Sequence, residues 1–312
     1  MQSGTNYSKN DTILKSNSYL SLINPINNLN QMSTDRNDYL LDINKILGPE
    51  MSKKLPRFAI NFLKKRIHQD QINYLIQTTE HYHGVGFFKA ALDYVGITYR
   101  IRGIENIDPE KRYLFVGNHP LGGPEALIIG SVFSEIFGDG FKVPVNHILA
   151  NLKPLSEFFV PVRVYSSKQS RELGNQIAEM FQSDSQVLVF PAGLCARKIK
   201  GKVTEMPWKK MFVTQAKRYE RDVVPMHISG FNSKKFFFLS RLSMLLKLKF
   251  NLGMLLLVDE LFNKKGQEFV ITIGKPVPYT TFDKSKTDMQ WAAEMQNQVK
   301  KLSEGNGCLP NM

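Results

Sequence analysis

Short apolar runs alternate with helix-period stretches along most of the chain. Strands are predicted over residues 98–102, 112–116, 160–164, 186–190, 223–228 and 268–273. Helical periodicity fits residues 124–137, 169–182, 208–219 and 288–302. Runs such as "VLVF" and "VVPM" carry no charge, as strands covered on both faces require. Strand–helix alternation of this kind predicts an α/β fold with a mostly parallel sheet and flanking helices.

The first part of the chain differs. Residues 1–38 are rich in Asn, Ser, Asp and Lys and read as a disordered polar tail. Residues 39–96 read as a helical region. Phe58, Phe62, Leu63 and Ile67 share one stripe there, with Arg57, Lys64, Lys65 and Arg66 off it. "GVGFFKAALDYVG" fits a further helix with Gly96 as its carboxyl cap. The α/β domain is expected over residues 97–303, and residues 304–312 form a short tail. One segment stands apart, "KKFFFLSRLSMLLKLKF" at 234–250. It reads either as a helix lying in a lipid interface, through side chains such as Phe237, Leu245 and Leu246, or as a core helix whose lysines reach outward.

Composition narrows the partners. The 312 residues are 42% hydrophobic and carry a formal charge of +13, which suits an anionic partner: nucleic acid, a membrane surface or an acidic small molecule. Cys195 and Cys308 have no metal-ligand or disulfide pattern. There is no secretory signal at the start and no apolar run near the ~20 residues that span a bilayer. A soluble or peripherally bound protein is expected.

Candidate chemistry concentrates at strand ends. In "LFVGNHPLGGPEALIIG" an apolar strand leads to His119, two glycines and a helix start at Pro124. A histidine there can act as a general base, and Glu125 is the nearest acid in sequence to orient it. Gly122 and Gly123 would let a substrate approach the backbone. The plainer alternative has His119 capping a loop and Glu125 complementing the helix dipole. A second strand end, "VLVFPAGLCARKIKGK", leads into Arg197, Lys198, Lys200 and Lys202. It suits an anionic group or is a solvated charge run. A third, "VVPMHISGFNS", holds Pro225, which points to an edge or a bulge, and His227, which reads as structural. The motifs GxSxG, Walker A, GxGxxG and HExxH are missing.

Taken in order, "NHPLGGPE", "FPAGLCAR" and "VVPMHI" resemble the N-H-x4-D, F-P-E-G-T-R and V-P motifs of the glycerolipid acyltransferase family. "VNHILANLKPLSEFFVPV" is similar to that family's second block. The nearest pattern is a bacterial subgroup with NHPLGG and FPAGL, labelled glycerol acyltransferase or hemolysin-like. The likeness spans about residues 40–301. Its departures fall at three places: the acid lies six residues after His119 and is Glu125, Ala192 stands where the family has glutamate, and the arginine arrives late as Arg197.

The resemblance implies an acyltransferase-like fold and an O-acyltransferase working at a membrane surface, peripherally on the cytoplasmic face of the inner membrane. The acyl donor would be a thioester of acyl carrier protein or coenzyme A. The acceptor would be a lysolipid, either lysophosphatidate or a lyso-amino-acid lipid. His119 and Glu125 would be catalytic. Asn118, Gly122, Gly123, Pro191, Gly193, Arg197, Lys198 and Lys200 would bind substrate. No metal or prosthetic group is implied, and the anionic partner becomes a membrane, not nucleic acid. The alternative is a non-enzymatic lipid-binding or membrane-perturbing protein of the same fold.

Overall fold

The computed structural model describes residues 36–146, 150, 152–162, 171–246, 253 and 256–304. The predicted polar tail and the C-terminal tail therefore lie almost wholly outside the described residues, as do His147, Cys308 and residues 247–250 of the basic apolar segment.

Four helices come first: α1 (Ile43–Lys54, broken at Gly48), α2 (Arg57–Arg66), α3 (Gln69–Thr78) and α4 (Val85–Val95). A seven-stranded sheet follows, built from β1 (Thr98–Arg102), β2 (Tyr113–Gly117), β3 (Phe141–Asn146), β4 (Phe159–Val162), β5 (Gln186–Val189), β8 (Asp222–Ile228) and β9 (Glu268–Ile273). Its order is β1-β9-β8-β2-β5-β3-β4, and only the β8–β9 pairing is antiparallel. Helices α5 (Gly123–Phe137), α6 (Arg171–Gln182), α7 (Met211–Tyr219), α8 (Lys234–Leu245), α9 (Leu257–Phe262) and α10 (Asp288–Glu304) complete the fold.

The sheet separates two cores. On one face α4 and α5 bring Phe87, Phe88, Ile128 and Phe133 against Phe115, Leu188 and Val224. On the other, α6, α7 and α10 bring Phe181, Phe212, Ala216 and Met295 against Leu114, Val116, Val187 and Val223. Successive strand residues alternate between these cores, so Leu114–Val116 of β2 and Val187–Val189 of β5 are all apolar. The N-terminal helices belong to the first core through Leu75 and Ile76, so the helical region is not a separate body.

Several expectations change. β3 was not predicted, because Lys142 and Pro144 interrupt its apolar pattern. The basic stretch after β5 is a hairpin, β6 (Arg197–Ile199) and β7 (Lys202–Thr204), turning through Lys200 and Gly201 at positive φ. Pro225 does not mark an edge: β8 lies between β9 and β2. The bulge expectation holds instead. Met226 pairs with Ile273 but Val223 with Val277, which leaves one extra residue opposite Pro225. The Pro225 carbonyl accepts from Gly274 N–H at 2.8 Å, so the proline nitrogen also points to the bulge, where no ladder bond is lost. A side chain at Gly274 would meet the proline ring at 2.8 Å.

The apolar stripe of α2 turns outward: Phe58 is 77% exposed and Phe62 54%. Helix α8 is inverted in the same sense. It buries Ser240 and Ser243 while exposing Phe238, Met244, Leu245 and Leu246. Phe237, expected on the lipid-facing side, is buried, and Phe238 is exposed in its place.

Candidate active site

Parallel neighbours β8, β2 and β5 end on one edge of the sheet, so the three strand-end motifs converge there. His119 follows β2. Its Nδ1 pairs with Glu125 Oε1, and because a carboxylate only accepts, Nδ1 carries the proton. Among the described residues Nε2 is left without a partner. The ring stacks on Phe190, with centroids 4.6 Å apart and planes 19° from parallel.

Glu125 is completely buried. Three things compensate a charge there: the imidazole, the Leu121 N–H donating to Oε2 at 2.8 Å, and the positive end of α5, whose first turn it occupies. The sixth-position acid thus reaches the histidine, its extra methylene spanning the inserted residue. Burial pushes the His119 imidazole down to about 4, so the ring is neutral at pH 7, with its one proton on Nδ1 and Nε2 free to accept.

Gly122 has φ +82°, and a Cβ there would meet Leu257 at 2.7 Å and Cys195 Sγ at 3.0 Å. A side chain would close the turn that carries the histidine toward Glu125. Burial pushes the Cys195 thiol up to about 12, which leaves it a packed group and not a nucleophile.

The other predicted residues divide. Gly122, Gly123, Pro191, Gly193 and Arg197 line a shared cavity with His119. Asn118 does not offer its amide to a substrate: Nδ2 donates to the Ile228 carbonyl at 2.9 Å and Oδ1 accepts the Ile228 N–H at 2.8 Å, clamping β8 to the turn after β2. Lys198 and Lys200 are exposed and do not line the cavity. The hairpin explains this, because alternate strand positions face opposite ways and Lys200 occupies the turn. Arg197 is the inward one, 7% exposed, with no carboxylate partner among the described residues.

Sequence reading missed two groups. Lys209 lies beside Gly193, its Nζ 3.3 Å from where a Cβ would stand, and also lines the cavity. Glu205 accepts the His119 N–H at 3.0 Å. A lone acid contacting a main-chain group 86 residues away leaves no signal in spacing or periodicity.

The cavity is about 740 Å³, within the range of small-molecule sites. Its walls are mostly apolar, with Leu75, Phe88, Leu127, Val143, Leu188 and Leu261 contributing, and its charged or titratable liners include His119, Arg197 and Lys209. An aliphatic chain fits such walls, with a base and a cation where its polar end would lie.

Known proteins share this chain's pattern. A family model described as acyltransferase matches residues 44–305. The chain is 39% identical over 272 residues to the lyso-glycine lipid O-acyltransferase of Bacteroides thetaiotaomicron, covering 86% of this chain and all of that one. It is 38% identical over 272 residues to the lyso-glycine lipid O-acyltransferase of Phocaeicola vulgatus, covering 86% of this chain and 97% of that one. Among solved structures it is similar to the 1-acyl-sn-glycerophosphate acyltransferase of Thermotoga maritima, with TM-score 0.44 and 16% identity over 81% of this chain and 91% of that chain.

Proposed function

The chain belongs to the acyltransferase family and is an acyltransferase; from that premise we propose that it moves a fatty acyl group from a water-soluble thioester to the hydroxyl of a lyso-amino-acid lipid at a membrane surface. The observation that carries this reading is the His119–Glu125 pair, whose histidine lines a mostly apolar cavity. Relatives bearing the name lyso-glycine lipid O-acyltransferase favour a carboxylate-bearing acceptor over lysophosphatidate. The same findings weigh against a non-enzymatic lipid-binding role for this fold.

The chemistry follows from the geometry. The acceptor oxygen attacks the thioester carbonyl while His119 Nε2 takes its proton. Glu125 holds the ring by Nδ1–H and stabilises the imidazolium that forms. The C–S bond then breaks, and the imidazolium returns the proton to the departing thiolate. Direct transfer is favoured because no activated Ser or Cys serves the site among the described residues. The donor, a thioester of acyl carrier protein or coenzyme A, arrives as a co-substrate, so the reaction as written needs no resident cofactor or metal. Each buried methylene of the acyl chain contributes about 0.8 kcal/mol. Arg197, buried and without an acidic partner among the described residues, would hold the acceptor's anionic group, with Lys209 beside it.

The two-chain product must enter a bilayer. No helix among the described residues is long and apolar enough to cross one. The exposed aromatic and aliphatic side chains of α2 and α8, mixed with Arg57, Lys65, Lys234, Lys235 and Arg241, suit the interface of an anionic membrane. A donor made inside the cell places that contact on the cytoplasmic face of the inner membrane. The test incubates the protein with labelled acyl carrier protein and coenzyme A thioesters and a panel of lysolipids with carboxylate or phosphate head groups. Mass analysis should find the diacyl product of a carboxylate-bearing acceptor. Phosphatidate alone as product would overturn the choice of acceptor, and no product with any pair would overturn the reaction.

A further inference from the structure

We propose that Glu205 is a positioning residue for this reaction: its carboxylate fixes the main chain of His119 and, through it, the direction of Nε2. The inference rests on His119 as the base.

Both main-chain groups of His119 are held by the segment after β5, not by the helix that follows the histidine. Its N–H donates to Glu205 Oε1 at 3.0 Å, and its carbonyl accepts the Ala196 N–H at 2.8 Å. The side chain of Glu125 therefore sets the ring's rotation, while the other loop sets where the residue sits.

Glu205 is held in turn from the second core. Gln296 on α10 donates to Glu205 Oε2 at 3.3 Å and to the Met206 carbonyl at 3.0 Å, and accepts the Trp208 N–H at 3.3 Å. Trp208 is itself buried in the core under α7 and α10. The rigid second core thus reaches the catalytic turn through one carboxylate. Burial raises the pKa of Glu205, while the bonds it accepts from Gln296 and the His119 N–H oppose that rise by favouring the carboxylate. A hydrogen bond to an ionised acceptor is stronger and more directional than one to a neutral group, which suits this task. Ala192, at the position where the resemblance led one to expect glutamate, is buried and supplies no carboxylate.

Polarity makes the idea testable. In E205Q the new amide meets a donor whichever way it turns, His119 N–H on one side and the Gln296 amide on the other. Adding Q296E converts the second donor to an acceptor, so the amide at 205 can accept from His119 and donate to position 296, with the bond to the Met206 carbonyl lost and recovery therefore partial.

Steady-state kinetics, thermal midpoints and the imidazole 15N shifts of His119 should be measured for the parent, H119A, E205Q and E205Q/Q296E. E205Q is expected to lower kcat about 10- to 100-fold while KM for both substrates stays within about threefold, since misplacement of a base by an ångström costs on that order. The His119 15N shifts should move in E205Q, and both kcat and shifts should recover in part in E205Q/Q296E. If E205Q does not fold, Q296A removes the support while leaving the acid and should lower kcat about 3- to 10-fold with unchanged KM. Parental kcat in E205Q or Q296A beside an inactive H119A overturns the positioning role alone. A double variant that is stable yet as slow as E205Q does the same. An active H119A overturns the base assignment and this inference with it.

Discussion

His119 and His227 stand on neighbouring parallel segments, one just past β2 and the other near the end of β8. Both are largely withdrawn from water, and burial pushes both imidazoles down to about 4. Each follows an apolar strand and precedes a glycine-containing turn. They differ in what faces the ring. Glu125 holds Nδ1 of His119, whose ring opens on the cavity. Nδ1 of His227 is buried with no hydrogen-bond partner among the described residues. Strand alternation puts His227 on the side of Val223, in the packed core beneath α10 and away from the cavity. A lowered pKa therefore does not identify a base. A buried acid on one nitrogen and open space at the other do.

The harshest test of that contrast removes each histidine in turn. H119A should lose about 10²–10⁴ in kcat with its fold intact by circular dichroism, whereas H227Q should keep turnover within about threefold. Equal losses would erase the distinction between the two sites.

A milder change sharpens it. E125Q keeps an acceptor for Leu121 N–H but cannot stabilise an imidazolium by charge. It should lower kcat about 10- to 100-fold and leave acceptor KM nearly unchanged. An effect confined to the melting temperature would reduce Glu125 to a helix-terminus charge.

Cations around the site divide in the same way. R197A should raise acceptor KM about tenfold, as expected for a charged hydrogen bond lost from a buried site, with little dependence on salt. K198A and K200A should leave KM unchanged at physiological ionic strength. If the lysine variants behave like R197A, the hairpin contributes to binding by its overall charge.

The smallest effect is on stability. Folded-state pKa values near 4 lie below the ordinary histidine value of 6.5, so the unfolded chain binds more protons between those limits. Stability from the two neutral rings is complete above pH 6.5 and falls as pH drops toward 4. H227Q should shrink the drop in melting temperature between pH 7 and pH 5 by about 2 °C. An unchanged drop would mean that His227 binds its proton equally well in the folded and unfolded protein.

Much of this arrangement is legible in the sequence because buried parallel strands announce themselves. β2, β5 and β8 each hold an uncharged apolar run, Tyr113–Val116, Val187–Val189 and Val223–Met226, and the Gly-Gly-Pro after His119 marks a turn into a helix. The pairing of Glu125 with His119 is readable for the same reason, since both lie within one turn of chain. β3 is hidden because two of its six residues, Lys142 and Pro144, break the pattern. The segregation of Arg197 from Lys198 and Lys200 needs a hairpin register that a run of basic residues does not encode. Helix α8 defeats periodicity, since Ser240 and Ser243 face inward with Phe236 and Phe237 while Phe238, Met244 and Leu245 face out.

Helix α9 carries two adjacent acids that pull on different parts of the molecule. Asp259 ties down α2 and the turn after it through Arg66 and through His68 at 2.7 Å, and Glu260 holds the amino end of α8 by the Ser233 N–H at 2.8 Å and its hydroxyl. Beside those ties, Leu257, Val258 and Leu261 form part of the cavity wall. This short helix is a keystone in the mechanical sense. The two outward-facing helices bear on neighbouring residues at its middle, so a load applied to either is transmitted to the wall of the chamber, and moving that wall strains both anchorages together.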